Sequence, residues 1–177
     1  MRREIFLHFA FWFSFFVFVS IINGLFDWRY LPFWLGGIVG TILPDIDHLL
    51  YLYLKPQELT SQRVGFLINK HEVKRVFTLL YETRSERKNL IFHTAFFQII
   101  FVILTFWILT SSGSYFGRGL VLAFFLHLLV DQIVDLTEMQ SFDNWLKYSP
   151  WYIDLPKAKT FWLTMFILLC LFGFLMA

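Results

Sequence analysis

Histidine and aspartate side chains recur at helical spacing inside apolar stretches of this sequence. His127 and Asp131 are four residues apart, so on a helix they project from one face about one turn apart. Asp45 and His48 are three residues apart and would share a face if the helix continues past Pro44. Imidazole and carboxylate ligands together suit zinc, manganese or iron better than calcium. The two pairs therefore predict a divalent metal site.

Further ionisable residues lie in apolar stretches, where such side chains are costly and indicate a function. His8 and His93 each lie near the start of such a stretch, and Asp47 lies within the second pair. In isolation, His8 could bond a neighbouring helix, His93 could cap its own helix, and Asp47 and Asp135 could be solvated. We expect Asp47 to act as a base or to orient a histidine. The predicted metal ligands are His8, Asp45, His48, His93, His127 and Asp131.

The segments that carry these residues are more apolar than an ordinary soluble domain. Of the 177 residues, 58% are hydrophobic and 16% charged, against about 45–50% and about 25% in soluble domains. A bilayer core of about 30 Å requires about 20 apolar residues in a helix. Five segments approach that length, namely 5–26, 31–54, 90–110, 115–136 and 161–177. We predict one all-α domain over residues 1–177, a polytopic membrane protein with about five transmembrane helices.

The basic residues indicate an orientation. With five spans, all of the 15 lysines and arginines except Arg29 and Arg118 fall on one side of the membrane. Cytoplasmic loops carry such an excess, so we predict a cytoplasmic N-terminus. The polar groups of four helices then lie at one level, just inside the cytoplasmic interface, which favours a single site. The net charge of +2 is too small to predict a nucleic-acid partner.

The connection over residues 55–89 contains a pattern typical of a short amphipathic helix. Four apolar residues repeat at i, i+3, i+4 and i+7, with lysine and arginine on the other side: Val73, Val76, Phe77 and Leu80. Such a helix favours the membrane interface, although packing against the bundle is an equally good interpretation. We also expect Trp145 and the aromatic residues after it to lie at headgroup level.

In the order of these elements the chain resembles the YdjM-like family of membrane-bound metal-dependent hydrolases, which are inner-membrane proteins of bacteria and archaea. Residues 40–48 match the Gly-x-x-x-Pro-Asp-x-Asp-His signature of that family. His8 matches its early histidine, His93 opens its His-Thr pair, and His127 with Asp131 matches its His-x-x-x-Asp motif. The family often has a further histidine before the His-Thr pair, and residues 88–92 contain none.

The resemblance implies a metal-dependent hydrolase of the inner membrane, with zinc as the expected metal and manganese or iron as alternatives. A site beneath the headgroups favours a lipid or lipid-like substrate with a phosphoester or similar bond. The residues leave two other functions open, an ion or metal transporter and a non-catalytic scaffold with a degenerate site. A transporter needs polar groups across both membrane halves, whereas Arg118 is the only charged residue in the outer halves of the predicted spans. The sequence predicts no particular protein partner.

Overall fold

In the computed structural model, which describes residues 2–83, 90–146 and 154–176, the protein is all-α, as predicted. The α-helices are α1 (Arg2–Asn23), α2 (Leu31–Ile42), α3 (Ile46–Leu54), α4 (Leu59–Asn69), α5 (Val73–Glu82), α6 (Ala95–Ser111), α7 (Tyr115–Val134), α8 (Asp143–Leu146) and α9 (Leu155–Phe174). A 3₁₀ turn, Leu43–Asp45, joins α2 to α3, and a π-helical turn, Asp135–Met139, extends α7. These ranges contain no β-strand.

Four stretches of helix are long and apolar enough to cross a membrane: Ile5–Asn23, Trp28–Leu54, Tyr115–Glu138 and Leu155–Phe174. They confirm the prediction of several apolar segments able to span a bilayer. Helix α6 is also apolar but shorter, with 17 residues. At about 1.5 Å per residue its length is about 25 Å.

The third predicted segment, 90–110, becomes helical later than expected. Helix α6 begins only at Ala95, because the Thr94 hydroxyl caps it and accepts a hydrogen bond of 3.2 Å from the Phe97 amide. The residues just before Ala95 are therefore free to form a turn, and this turn carries His93.

The last predicted segment, 161–177, begins earlier than expected. Helix α9 starts at Leu155, because the Asp154 carboxylate accepts a hydrogen bond of 3.2 Å from the Lys157 amide and so caps the first turn. The helix has 20 residues, which corresponds to about 30 Å and suffices for a bilayer core.

The second predicted segment, 31–54, is interrupted at Pro44. Proline has no amide hydrogen and cannot continue the hydrogen bonds of an α-helix, so the chain forms the 3₁₀ turn before α3 begins at Ile46. Asp45 therefore lies in the turn and His48 in the helix. The condition on which Asp45 and His48 would share a helical face, a regular helix that continues past Pro44, is therefore not met.

Helix α7 is the centre of the bundle, and its residues 121–132 are all buried. Helix α2 packs directly against it through glycines. A Cβ atom added at Gly40 would lie 2.2 Å from the Leu120 carbonyl oxygen, and one added at Gly119 would lie 2.1 Å from the Phe33 carbonyl oxygen. The two backbones therefore touch, as small residues at helix interfaces in membranes permit. This contact places the C-terminal end of α2 beside the polar end of α7.

Helices α4 and α5 form a hairpin, which we call the α4–α5 hairpin. Val64 of α4 is buried with Val76 and Leu80 of α5, so half of the predicted apolar stripe packs against a helix that the sequence analysis did not predict. Val73 and Phe77 remain 58% and 56% exposed. Half of the stripe thus packs against α4, and the other half forms an exposed apolar surface.

Replacing Gly40 by alanine tests the contact between α2 and α7. The new methyl group has no room beside the Leu120 carbonyl, so we expect the variant to lose about 1–3 kcal/mol of stability through overpacking. Gly65 on α4 has open space at the same position, so Gly65→Ala is the matched control. Thermal unfolding in detergent measures both, and an unchanged Tm for Gly40→Ala would contradict the account.

Candidate metal centre

Polar side chains from four parts of the fold meet at one end of the bundle. Helix α1 supplies His8, the chain at the start of α3 supplies residues 45–48, the turn before α6 supplies His93, and α7 supplies His127 and Asp131. The structure brings these groups together at one level, as the sequence predicts. Five of the side chains are buried: His8, Asp47, His93, His127 and Asp131.

Three of these residues form a group that could hold a metal ion. One ligand atom from each of His8, His127 and Asp131 lies within 4.8 Å of the other two. His8 Nε2 is 3.2 Å from Asp131 Oδ1, and His127 Nε2 is 3.3 Å from Asp131 Oδ2. The second distance confirms that the i, i+4 spacing places His127 and Asp131 on one face of α7. Two imidazoles and a carboxylate are a ligand set that zinc and related divalent metals accept.

A hydrogen bond determines which nitrogen of His127 faces the group. His127 Nδ1 lies 2.6 Å from the Thr41 carbonyl oxygen. A carbonyl oxygen only accepts hydrogen bonds, so Nδ1 carries the proton and Nε2 of the neutral ring carries a lone pair. Nε2 is buried and has no hydrogen-bond partner among the described residues. This is the arrangement of a metal-binding histidine, whose other ring nitrogen donates to a carbonyl or carboxylate.

His93 bridges two buried carboxylates. Its Nε2 lies 2.9 Å from Asp131 Oδ2, and its Nδ1 lies 3.3 Å from Asp47 Oδ2. The same Asp47 oxygen accepts a hydrogen bond of 2.6 Å from the Phe92 amide. Asp47 is therefore held in place, and the alternative that it is merely solvated is wrong. Its contact with His93 is the geometry by which a carboxylate orients an imidazole ring.

The remaining predicted ligands lie at the rim of the three-residue group. The side chain of Asp45 is 59% exposed, and its Oδ1 is 3.8 Å from His127 Nε2. The His48 ring stacks on that of His93, with 5.3 Å between centroids. Neither rim residue, nor His93, belongs to the group within 4.8 Å. Asp45 is the last residue of the 3₁₀ turn at Pro44 and lies just before α3 begins.

Trp145 of α8 contributes a wall that the sequence analysis missed. It is only 2% exposed, and its ring centroid lies 5.6 Å from that of His93. Its Nε1 donates a hydrogen bond of 2.8 Å to Asp135 Oδ2. Trp145 is therefore buried within the protein, whatever its depth in the membrane, and Asp135 is not merely solvated. The other aromatic residues of that stretch, over 147–153, lie outside the described residues.

The sequence analysis also did not single out a pair of glutamines. Gln98 of α6 and Gln132 of α7 are fully buried. Their amides exchange hydrogen bonds of 2.5 and 3.4 Å. The pair joins α6 to α7 one residue beyond Asp131. The sequence signal that could have indicated this pair is an uncharged amide side chain in each of two apolar segments.

Comparison of the chain with protein-family models, with curated proteins and with solved structures gives no match. The chemistry of the site is therefore inferred from its own geometry. That geometry is a buried carboxylate, Asp131, that three histidines approach from α1, α7 and the turn before α6.

Replacing Asp131 should abolish metal binding at the candidate metal centre. Asp131→Asn keeps the size of the side chain but removes the charge that faces His8 and His127, so we expect stoichiometric divalent metal to be lost. Elemental analysis of detergent-purified protein measures the content. Asp27→Asn, which lies beyond the far end of α1 and bonds to Arg29, is the control that should keep its metal. Equal metal in both variants would contradict the assignment.

The glutamine pair predicts non-additive effects on stability. Gln98→Leu or Gln132→Leu alone leaves one buried amide without its partner, which costs about 1–3 kcal/mol. The double variant removes both amides, so its loss should be smaller than the sum of the two single losses. Unfolding of all four proteins in detergent measures the coupling. Strictly additive losses would show that the pair does not stabilise the α6–α7 contact.

Proposed function

We propose that the protein is a metal-dependent hydrolase of the inner membrane, acting on a phosphoester or similar bond of an amphiphilic substrate at the cytoplasmic leaflet. The observation that carries the proposal is the buried group of His8, His127 and Asp131, in which the Thr41 carbonyl directs the His127 lone pair toward Asp131. Three protein ligands are typical of catalytic zinc sites, which keep one position for water, whereas structural sites use four.

Zinc fits this ligand set best, and manganese or iron also fits. A bound cation of this kind supplies an activated water and polarises the bond to be broken. It would also neutralise the buried Asp131 carboxylate, which is costly to keep charged in an apolar interior.

His93 and Asp47 provide the proton chemistry of the proposed reaction. Asp47 accepts from His93 Nδ1, which orients the ring, and His93 Nε2 then faces the ligand carboxylate of Asp131. Because both carboxylates only accept hydrogen bonds, the His93 ring donates to both when its two nitrogens are protonated, and in that form it is suited to give a proton to the leaving group. Asp47 thus serves as the orienting partner of His93 rather than as the base itself.

Access to the site is proposed from the end of the bundle where Asp45 lies. Asp45 is the exposed member of the cluster, and α3 beside it exposes Leu49 and Tyr53, which are 54% and 82% exposed. A polar mouth beside an apolar surface suits a molecule with a charged head and an apolar tail. This geometry supports a lipid or lipid-like substrate.

The proposed topology has five spans with α6 as the third, since its 17 residues reach the lower limit for a spanning helix. The excess of basic residues at the end that carries the site supports a cytoplasmic position. The α4–α5 hairpin would lie in the same interface, because Phe66 and Phe77 are exposed and Lys70 Nζ lies 4.4 Å above the Phe66 ring. The resemblance of residues 40–48 to the YdjM-like signature supports a bacterial or archaeal inner membrane.

Hydrolysis of a phosphodiester by the purified protein tests the proposal. Wild type loaded with zinc or manganese should hydrolyse bis-p-nitrophenyl phosphate or phosphatidylglycerol, and His127→Ala should reduce the rate to background. His93→Gln should retain metal yet lose about 10²–10⁴-fold in rate, the usual contribution of a general acid or base. Asp27→Asn serves again as the control. Wild type that holds metal but hydrolyses neither ester would favour the scaffold alternative.

A further inference from the structure

A groove of about 620 Å³ opens between the end of α7 and the start of α9. Its size lies within the range of about 300–1,000 Å³ that is common for ligand sites. Ile133 lines it and follows Asp131 by two residues, or about 200° around the helix. This α7–α9 groove is therefore separate from the metal centre. Its lining also includes five further residues: Leu136, Gln140, Lys159, Trp162 and Leu163.

The aromatic wall of the α7–α9 groove is held in place from both sides. Trp162 Nε1 donates a hydrogen bond of 2.9 Å to the Leu129 carbonyl oxygen. The Trp162 ring also stacks on Phe166, with centroids 5.4 Å apart and planes 8° from parallel. Opposite, the π-helical turn ends at Gln140 in the left-handed region, with φ at 48°. The groove is therefore built into the fold rather than opened by a loose side chain.

The lining of the groove divides into an apolar part and a donor-rich part. Leu136, Trp162 and Leu163 supply the apolar surface, whereas Lys159 and Gln140 supply an ammonium and an amide that can donate hydrogen bonds. Lys159 makes no ion pair with any of the described residues.

Another lysine of the same turn is different in this respect. Lys157 lies 3.8 Å from the Asp154 carboxylate, which offsets its charge. Within the first turns of α9, Lys159 is thus the lysine whose charge faces the groove without an acidic partner among the described residues.

We propose that the α7–α9 groove binds an anionic phospholipid. The phosphate would lie beside Lys159 and Gln140, and an acyl chain would follow Leu136, Trp162 and Leu163. Basic pockets between transmembrane helices near the membrane surface bind anionic headgroups in this way. The proposal requires that α7 and α9 span a bilayer, but it does not depend on hydrolysis at the metal centre.

Lipid retention tests the role of charge. The protein is purified in mild detergent from nanodiscs that contain equal amounts of phosphatidylglycerol and phosphatidylcholine, and the retained lipids are quantified by mass spectrometry. Wild type should enrich phosphatidylglycerol. Lys159→Gln should lower that enrichment about five-fold, the ratio that corresponds to about 1 kcal/mol for one lysine at an anionic surface. Lys157→Gln should change it less than about two-fold, because Asp154 already offsets that charge.

A second pair of variants tests the apolar part. Leu163→Trp should fill the groove and reduce the retained lipid of both kinds, whereas Leu171→Trp, equally exposed on the same helix but outside the groove, should not. Equal enrichment in wild type and Lys159→Gln, or equal losses in the two lysine variants, would overturn the proposal. Metal content measured on the same samples should be unchanged, which separates this result from the fate of the metal centre.

Discussion

The close approach of α2 to α7 is the constraint on which the rest of the structure depends. Gly40 and Gly119 let the two backbones touch, and only at that separation does the Thr41 carbonyl reach His127 Nδ1. The resulting hydrogen bond satisfies a buried donor and determines that Nε2 faces Asp131. The packing of α2 against α7 thus determines which nitrogen of His127 is available to bind a metal ion.

The electrostatics of the site follow from its burial. Asp47 and Asp131 are each 1% exposed, and three buried histidines surround them. Two carboxylates in an apolar interior require compensation by protons or by a cation, because unpaired buried charge is strongly unfavourable. Asp131 contacts all three histidines, whereas Asp47 contacts His93 alone among them. A bound cation would therefore be stabilised most when it binds at Asp131.

Sequence patterns predict this fold well where one physical rule dominates. Helical spacing alone predicts that His127 and Asp131 share a face, and apolar length alone predicts several spanning helices. Tertiary contacts decide the remainder. The turn imposed by Pro44 places Asp45 at the rim, and Trp145 is buried because it finds a hydrogen-bond partner in the fold. The preference of tryptophan for the membrane interface, on which the expectation for Trp145 is based, takes no account of such a partner.

We propose that His8, His127 and Asp131 together hold one divalent metal ion at the end of the bundle. X-ray absorption spectroscopy at the edge of the metal found in the purified wild-type protein tests this most directly. The account predicts scattering from two imidazole nitrogens at about 2.0–2.1 Å, the distance for zinc–histidine bonds, together with oxygen ligands. A protein without stoichiometric metal, or a metal shell without imidazole scattering, would contradict it.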